Sequence, residues 1–228
     1  MLRFTKHIIA ALVFVCSLST AQQDPNLPSL YREDQIYIGA SFMGLIQSNT
    51  EENLAGLSSH FHFGLVRDMP LNAKGNWAIA GGLGFQTQRI ITAVMYEFGP
   101  DEQPLRFYGQ GKTESQIQTR FGVQSIEVPL VLRWRTSTPT RYQFWRIYGG
   151  LKWFWNLKTK VVGLPKSFDT QEYFNRTHLE SFVSFGYNTW NFYVSYPIQK
   201  VVNPIPLEDG SAPYDFNLIK VGLIFYLL

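Results

Sequence analysis

Two histidines at alternate positions are the first residues of this sequence whose types and spacing could do chemistry. His60 and His62 are separated by one residue, which places both imidazole rings on one face of an extended strand. Metal sites use such pairs, but a metal ion needs more ligands, and no third histidine or carboxylate is tied to this pair in the sequence. We therefore expect both rings to pack inside the protein, and we predict no metal and no other cofactor.

A group of polar residues around position 170 is the second candidate for chemistry. Ser167, Asp169, Glu172 and His178 fall close to one predicted loop, and some small barrels are enzymes that use a histidine with such partners near their rim. Catalytic triads are recognised by their geometry and not by the presence of the residue types. The spacing here matches no mechanism, so we predict that the protein is not an enzyme.

The first 21 residues have the pattern of a secretory signal. Arg3 and Lys6 provide a positive start, an apolar stretch runs from Ile8 to Cys16, and small residues end at Ala21, where we expect cleavage. An uncut anchor is the alternative. Because the only cysteine is Cys16, the mature chain would have no thiol for a disulfide, a metal or a nucleophile. The predicted domains are the signal peptide (1–21), an N-terminal periplasmic segment (22–35) and a β-domain (36–228).

The composition indicates an apolar exterior. Aromatic residues make up 16% of the chain and charged residues also 16%, whereas charged residues are about 25% of a typical soluble domain. No later window contains the ~18 consecutive apolar residues of a membrane-spanning helix. The formal net charge of +3 is small, and no basic cluster with interleaved aromatics stands out, so nucleic acid is not expected as a partner.

Segment 144–159 shows a two-residue alternation that predicts a β-strand. Its odd positions are apolar, with Trp145, Trp153 and Trp155 among them, and its even positions include Arg146, Lys152 and Lys158. Successive side chains of a strand point to opposite faces, so one face is apolar and the other is partly charged. Seven further segments are candidates for the same kind of strand: 36–46, 60–67, 77–86, 126–135, 179–187, 190–199 and 217–227.

The alternation alone fits either a soluble β-barrel or sandwich, with its apolar face inward, or a membrane barrel, with its apolar face outward. Three features favour the membrane barrel. The charge content is low, small residues crowd the polar faces as a narrow lumen requires, and tryptophans lie near the ends of the apolar rows, where interfacial girdles form. These predicted membrane-interface aromatics are Trp77, Trp134, Trp145, Trp153, Trp155 and Trp190. Lys152 and Lys158 are then expected to face the interior.

The predicted connections alternate in length. Long ones fall at 47–56, 99–122, 162–177 and 201–213, and short ones at 69–75, 136–142 and 188–189. Outer-membrane barrels have short periplasmic turns and longer outer loops. We therefore predict an all-β fold, an eight-stranded antiparallel up-and-down transmembrane β-barrel in the outer membrane of a bacterium, in contact with outer-membrane lipid and with both chain ends in the periplasm.

An eight-stranded barrel is filled by its own side chains. Glu127 lies among several cations in the predicted lumen, so we expect an ion-pair network there that satisfies buried charge; a gated ion path is the alternative. The predicted polar network comprises His60, His62, Glu127, Arg133, Arg146, Lys152 and Lys220, with Asn191 and Ser195 on the same face.

Three stretches resemble the PorT-type family of small outer-membrane barrels, often called the porin family. They are REDQIYIGASFMGL (32–45), FHFGLVRDMPLNAKGNWAIAGGLGF (61–85) and SIEVPLVLRWRTSTPTRYQFWRIYGGLKWFW (125–155). The resemblance implies an eight-stranded outer-membrane barrel in a cell envelope equipped for type IX secretion, with no catalytic motif to carry over.

Three functional hypotheses follow. The first is a non-enzymatic accessory subunit of an envelope machine for type IX secretion or outer-membrane protein assembly, with other outer-membrane or periplasmic subunits as partners. The second is a small-solute pore, and the third is a soluble secreted β-barrel that binds an apolar ligand.

Overall fold

The computed structural model of the chain describes residues 34–48, 56–72, 74–98, 105–109, 117–136, 144–162, 170–210 and 212–227. The predicted signal peptide and nearly all of the predicted periplasmic segment lie outside the described residues, as do Ser167 and Asp169. Within the described ranges, no helix is long and apolar enough to cross a membrane.

Almost all of the described structure is β-strand, because aromatic and β-branched residues recur in two-residue alternation. A single turn of 3-10 helix covers Gln171–Tyr173. The strands are β1 (Gln35–Ser48), β2 (Ser58–Pro70), β3 (Trp77–Phe98), β4 (Leu105–Tyr108), β5 (Ile117–Arg135), β6 (Trp145–Val161), β7 (Thr177–Tyr187), β8 (Trp190–Pro197) and β9 (Phe216–Leu227).

Eight of these strands close into an antiparallel barrel, as predicted. Each of the eight pairs with two neighbours, and closure is made by β1, which pairs with β2 through Ile38 and Phe63 and with β9 through Ile38 and Phe225. The short strand β4 pairs only with the far end of β3. A closed barrel leaves no unpaired edge, which allows a β-structure to span a medium without water.

The barrel is apolar outside and polar inside. Along β6, Trp153 is 47% exposed and its neighbour Lys152 is 2% exposed. In β2 the buried and exposed side chains alternate from Ser58 to Met69. The outer surface therefore has the inverted arrangement expected of a sheet that faces lipid.

Aromatic residues form a girdle at the end of the barrel that carries the short turns. Trp77 is paired with Trp134 in the sheet, Trp145 packs on Tyr187 with ring centroids 5.4 Å apart, and Trp190 packs edge-on against Phe225 at 4.8 Å. Trp134 is partly buried, and the other predicted tryptophans are exposed on the outer face.

Trp155 marks the other end of the apolar band. It lies ten residues after Trp145 in the same strand, which is about 33 Å along the strand at ~3.3 Å per residue. A tilt of ~40° reduces this to about 25 Å along the barrel axis, the height of the apolar band in outer-membrane barrels. The Arg176 guanidinium lies 5.7 Å from the Trp155 ring. Trp153 lies two residues closer to the middle of the band.

Two parts of the sequence prediction differ from the structure at the end of the barrel with the long connections. β3 extends to Phe98 instead of ending near 86, and β5 begins at Ile117, within the predicted 99–122 loop. The β3–β5 register shifts between Ile91 and Met95. This irregularity breaks the two-residue period in the outer part of β3, whereas between Gln86 and Ile91 the pairing is regular and the apolar row ends because the outward residues are Thr87 and Arg89. The alternation of long and short connections itself is present.

The predicted inward orientation of Lys158 is wrong. Asn156 pairs with Ser125 but Lys158 pairs with Gln124, so Leu157 is an extra residue in β6. Such a β-bulge reverses the parity of every side chain beyond it. Leu157 and Lys158 are both exposed, and Thr159 turns inward.

An arginine at position 151 should destabilise the barrel. Leu151 faces outward between Trp145 and Trp155, and an arginine near the bilayer midplane costs about 2–4 kcal/mol. Urea unfolding in phospholipid vesicles, followed by tryptophan fluorescence, should show a loss of that size for Leu151→Arg. The control Leu71→Arg, at an exposed leucine in a short turn, should lose less than about 1 kcal/mol. Equal losses would contradict this placement of the membrane.

Candidate functional site

The middle of the lumen contains two lysine–glutamate pairs, and the first joins Lys152 to Glu127. Their side chains are fully buried, with Lys152 Nζ 3.1 Å and 3.3 Å from the two carboxylate oxygens of Glu127. The Tyr37 hydroxyl donates to Glu127 Oε1 at 2.5 Å. Lys152 Nζ also lies 2.9 Å from Nδ1 of His62, so a neutral ring can accept this hydrogen bond. Lys152 Nζ and Glu127 Oε1 thus each have several polar neighbours, and Glu127 Oε2 contacts Lys152, as a buried charged pair requires.

The second pair joins Lys220 to Glu180. Lys220 Nζ lies 2.7 Å and 2.8 Å from the two Glu180 oxygens, and the Ser195 hydroxyl donates to Oε2 at 2.7 Å. His178 Nε2 is 3.3 Å from Glu180 Oε1, and its ring stacks on Phe154 with centroids 4.8 Å apart. Like the first pair, this one balances one cation with one carboxylate.

The two histidines connect the pairs. His60 Nε2 lies 3.0 Å from Oε1 of Gln86, which also accepts a 3.3 Å hydrogen bond from Lys220. The His60 and His62 rings lie 4.7 Å apart. Every strand of the closed barrel supplies at least one member of this set, which we call the central network: Tyr37, His62, Gln86, Glu127, Lys152, Glu180, Ser195 and Lys220, with His60 beside His62.

Small residues make room for the central network. Gly64 and Gly84 face the Tyr37 hydroxyl, and a Cβ atom at Gly84 would lie 3.0 Å from Cγ of Glu127 and 2.7 Å from a backbone oxygen of Phe63. A larger residue could not be accommodated without moving the barrel wall. The glycines of the polar face therefore allow large polar side chains to fill a narrow interior.

Arginines fill the lumen near the short turns. Asp68 accepts from Arg133 and forms a second ion pair with Arg135 Nη1 at 2.6 Å, while Arg133 also donates to the Gln35 side chain. The Arg133 guanidinium lies 4.3 Å from the Tyr148 ring, and that of Arg146 lies 4.4 Å from the Phe144 ring. Among the described residues, this layer buries three guanidinium groups and the Asp68 carboxylate.

An apolar layer closes the lumen at the opposite end. Phe107 packs on Phe121 at 6.2 Å and Phe121 packs edge-on against Phe174 at 5.4 Å. Phe174 forms an isolated bridge with Val202, so the long connections contribute directly to the layer. Burial and the neighbouring Glu172 carboxylate raise the pKa of Tyr173 to about 12, and its neutral ring packs against Phe107.

The lumen contains little free space between its layers. A cavity of about 10 Å³ lies among Tyr37, Arg133, Tyr148, Lys152 and Tyr226, which is room for about one water molecule. The described side chains that point inward are buried from the arginine layer to the apolar layer, as expected of an interior that side chains fill.

All seven residues of the predicted polar network are buried in the lumen, and each contacts another lumen side chain. Five of them lie in or beside the central network, and Arg133 and Arg146 lie near the short turns, where both pack on aromatic rings. The sequence analysis missed Glu180, Tyr37, Asp68 and Gln35. Asp68 and Glu180 do follow the alternation. Asp68 lies at an even position of β2, as do His60 and His62. Glu180 lies two residues after the buried His178 in β7.

The structure also changes how His178 and the histidine pair are interpreted. His178 lies inside β7 against Glu180 and not in a rim loop, whereas Glu172 is exposed. A carboxylate does lie beside the pair, with Glu127 Oε1 3.3 Å from His62 Nδ1. Lys152 Nζ lies 2.9 Å from the same nitrogen, and no group of three candidate metal ligands occurs among the described residues.

Comparison with known proteins identifies a family. The sequence model of the family described as outer membrane protein beta-barrel domain matches residues 20–221, which is most of the chain. No curated protein and no solved structure matches significantly. The family match agrees with the membrane orientation of the sheet.

Removing the carboxylate of Glu127 should strongly destabilise the barrel, because Lys152 would remain as a buried cation. Glu127→Gln is expected to cost about 3–5 kcal/mol of unfolding free energy, and the double variant Glu127→Gln/Lys152→Met should recover most of it. Urea unfolding in vesicles measures both. Asp215→Asn is the control, since Lys200 in its 2.5 Å ion pair is 55% exposed, and its cost should stay below about 1 kcal/mol. If Glu127→Gln cost no more than this control, the pair would not matter for stability.

Proposed function

The chain belongs to the outer membrane protein beta-barrel domain family, and from that premise we propose that it is a non-enzymatic accessory subunit of a bacterial envelope machine. The barrel serves as a rigid membrane-embedded body, and its outer surface and loops contact other subunits. A cleaved signal peptide exports the chain to the outer membrane.

The filled lumen is the observation that carries this proposal. Two buried lysine–glutamate pairs, an arginine layer and an apolar layer occupy the described interior. An open aqueous channel needs larger barrels, and eight strands leave an interior just wide enough for side chains. A barrel of this kind is suited to act through its surface and not through its bore.

The resemblance of three stretches to PorT-type barrels supports a machine for type IX secretion or for outer-membrane protein assembly. The long connections support the same proposal from the structure. Two isolated bridges, Phe174 with Val202 and Ile205 with Tyr214, hold parts of them together above the barrel. Ordered loops of this kind offer a defined surface to a partner.

Affinity purification tests the proposal. The tagged protein, extracted from outer membranes with a mild detergent, should bring down large envelope subunits in constant proportion. A tagged eight-stranded barrel from another family is the control for detergent-dependent association. Recovery of the protein alone, under conditions that preserve other envelope complexes, would contradict the role as a subunit.

Planar bilayer recordings separate a subunit from a pore. The purified barrel should show no stable unitary conductance, while a 16-stranded porin in the same membrane should conduct. Reproducible steps that scale with salt concentration would instead identify the chain as a small-solute pore.

A further inference from the structure

Basic residues cluster on the outer face of the barrel, just beyond Trp155. Arg89, Arg120 and Lys158 are exposed, and Lys160 is partly exposed. The sheet register brings them together, because Arg89 pairs with Gly122, Gly122 pairs with Lys160, and Gln124 pairs with Lys158. The β-bulge at Leu157 is what turns Lys158 to this side. We call Arg89, Lys158 and Lys160 the basic crest.

The basic crest has no acidic partner in the described part of the chain. Arg89, Lys158 and Lys160 form no ion pair there, and no carboxylate lines the surface depression of about 250 Å³ between them. The lysines of the lumen, by contrast, each contact a glutamate. Three adjacent cations that have no acidic partner among the described residues repel one another, and an anion between them would relieve that repulsion.

An apolar groove begins at the basic crest and continues into the membrane band. Its volume is about 480 Å³, and its outward lining includes Phe42, Phe61, Leu223, Phe225, Thr87 and Arg89. Thr87 and Arg89 also line the depression of the basic crest. The polar and the apolar surfaces are therefore continuous.

The strand directions set the order of these surfaces along the barrel axis. Arg89 pairs with Ser59, and Phe61 lies two residues further along β2, which runs toward the short turns. Trp155 lies three residues before Lys158 in β6, which runs away from them. The basic crest thus lies just outside the aromatic boundary of the band, at the height of lipid headgroups, and the groove lies within the hydrocarbon region.

We propose that the basic crest and the groove form a binding site for a phosphorylated membrane lipid. The crest binds the phosphate, and the groove takes an acyl chain. Guanidinium and ammonium groups suit phosphate oxygens, with arginine able to donate two parallel hydrogen bonds. A soluble anion would leave the groove unoccupied, and an apolar ligand would leave the cations without a counter-charge. The long connections face the cell exterior in barrels of this class, so the lipid belongs to the outer leaflet, where lipid A carries phosphates. This inference depends on the family and on the orientation of the barrel, and not on the role as a machine subunit.

Native mass spectrometry of the detergent-solubilised barrel with added diphosphoryl lipid A tests the proposal. Arg89→Gln/Lys158→Gln should weaken the apparent affinity at least about tenfold. Each basic residue near a lipid surface contributes about a fivefold gain in affinity, and the variant removes two. The matched control is Arg67→Gln/Lys74→Gln, which removes two exposed cations near the short turns and should bind as the wild type does. Heat-modifiable migration in gels verifies that each variant is folded.

Two further arms define the ligand. Arg89→Lys/Lys158→Arg keeps the charges and should retain most of the binding. Inorganic phosphate at the same concentration should not displace the lipid, because it cannot use the groove. Unchanged affinity in the Arg89→Gln/Lys158→Gln variant, an equal loss in the control, or displacement by phosphate alone would each overturn the proposal.

Discussion

Closure of the sheet around eight strands is the constraint on which the rest of the structure depends. A membrane offers no water to unpaired backbone groups, so every strand must pair on both sides. Eight strands close around a space that only side chains can fill. The interior is therefore a packed polar core, and every charge placed there must have a partner within it. The two lysine–glutamate pairs satisfy this requirement in the middle of the barrel, with 2.7 Å and 3.1 Å as their closest contacts.

The central network also specifies the register of the strands. All eight strands of the barrel contribute to it, so a shift of one residue in any strand would move a polar side chain to the lipid face and an apolar one into the lumen. A buried ion pair adds little net stability compared with apolar packing, but breaking it is costly. We therefore expect Lys152 and Glu127 to disfavour wrong pairings more than they stabilise the right one. The same parity rule explains the basic crest, because the extra residue Leu157 places Lys158 outside.

The sequence was sufficient for the barrel, its strand number and the side on which most residues lie. Segments such as 144–156 alternate strictly between apolar and polar residues. Because the low charge content and the positions of the tryptophans favour a membrane barrel, the apolar row is assigned to the lipid and the polar row to the lumen. The ion-pair partners were not predictable in the same way. Glu180 contacts Lys220 across β8, and this contact depends on the register of the neighbouring strands in the closed barrel. The sequence of a single strand shows neither the register nor the closure. Lys158 was placed wrongly because a bulge leaves no signature in the hydrophobic pattern, and β4 was missed because four residues are too few for a period.

Spin-label scanning along β6 tests the inverted barrel most directly. Single cysteines from 147 to 160 can each carry a nitroxide, since Cys16 is the only native cysteine. Collision with oxygen, which concentrates in hydrocarbon, should be high at Leu151, Trp153 and Trp155 and low at Lys152 and the even positions beside it. Beyond Leu157 the pattern should change phase, with position 158 open to a water-soluble relaxation agent. Protection from oxygen at the tryptophan positions, together with free access of the water-soluble agent to position 152, would contradict the account.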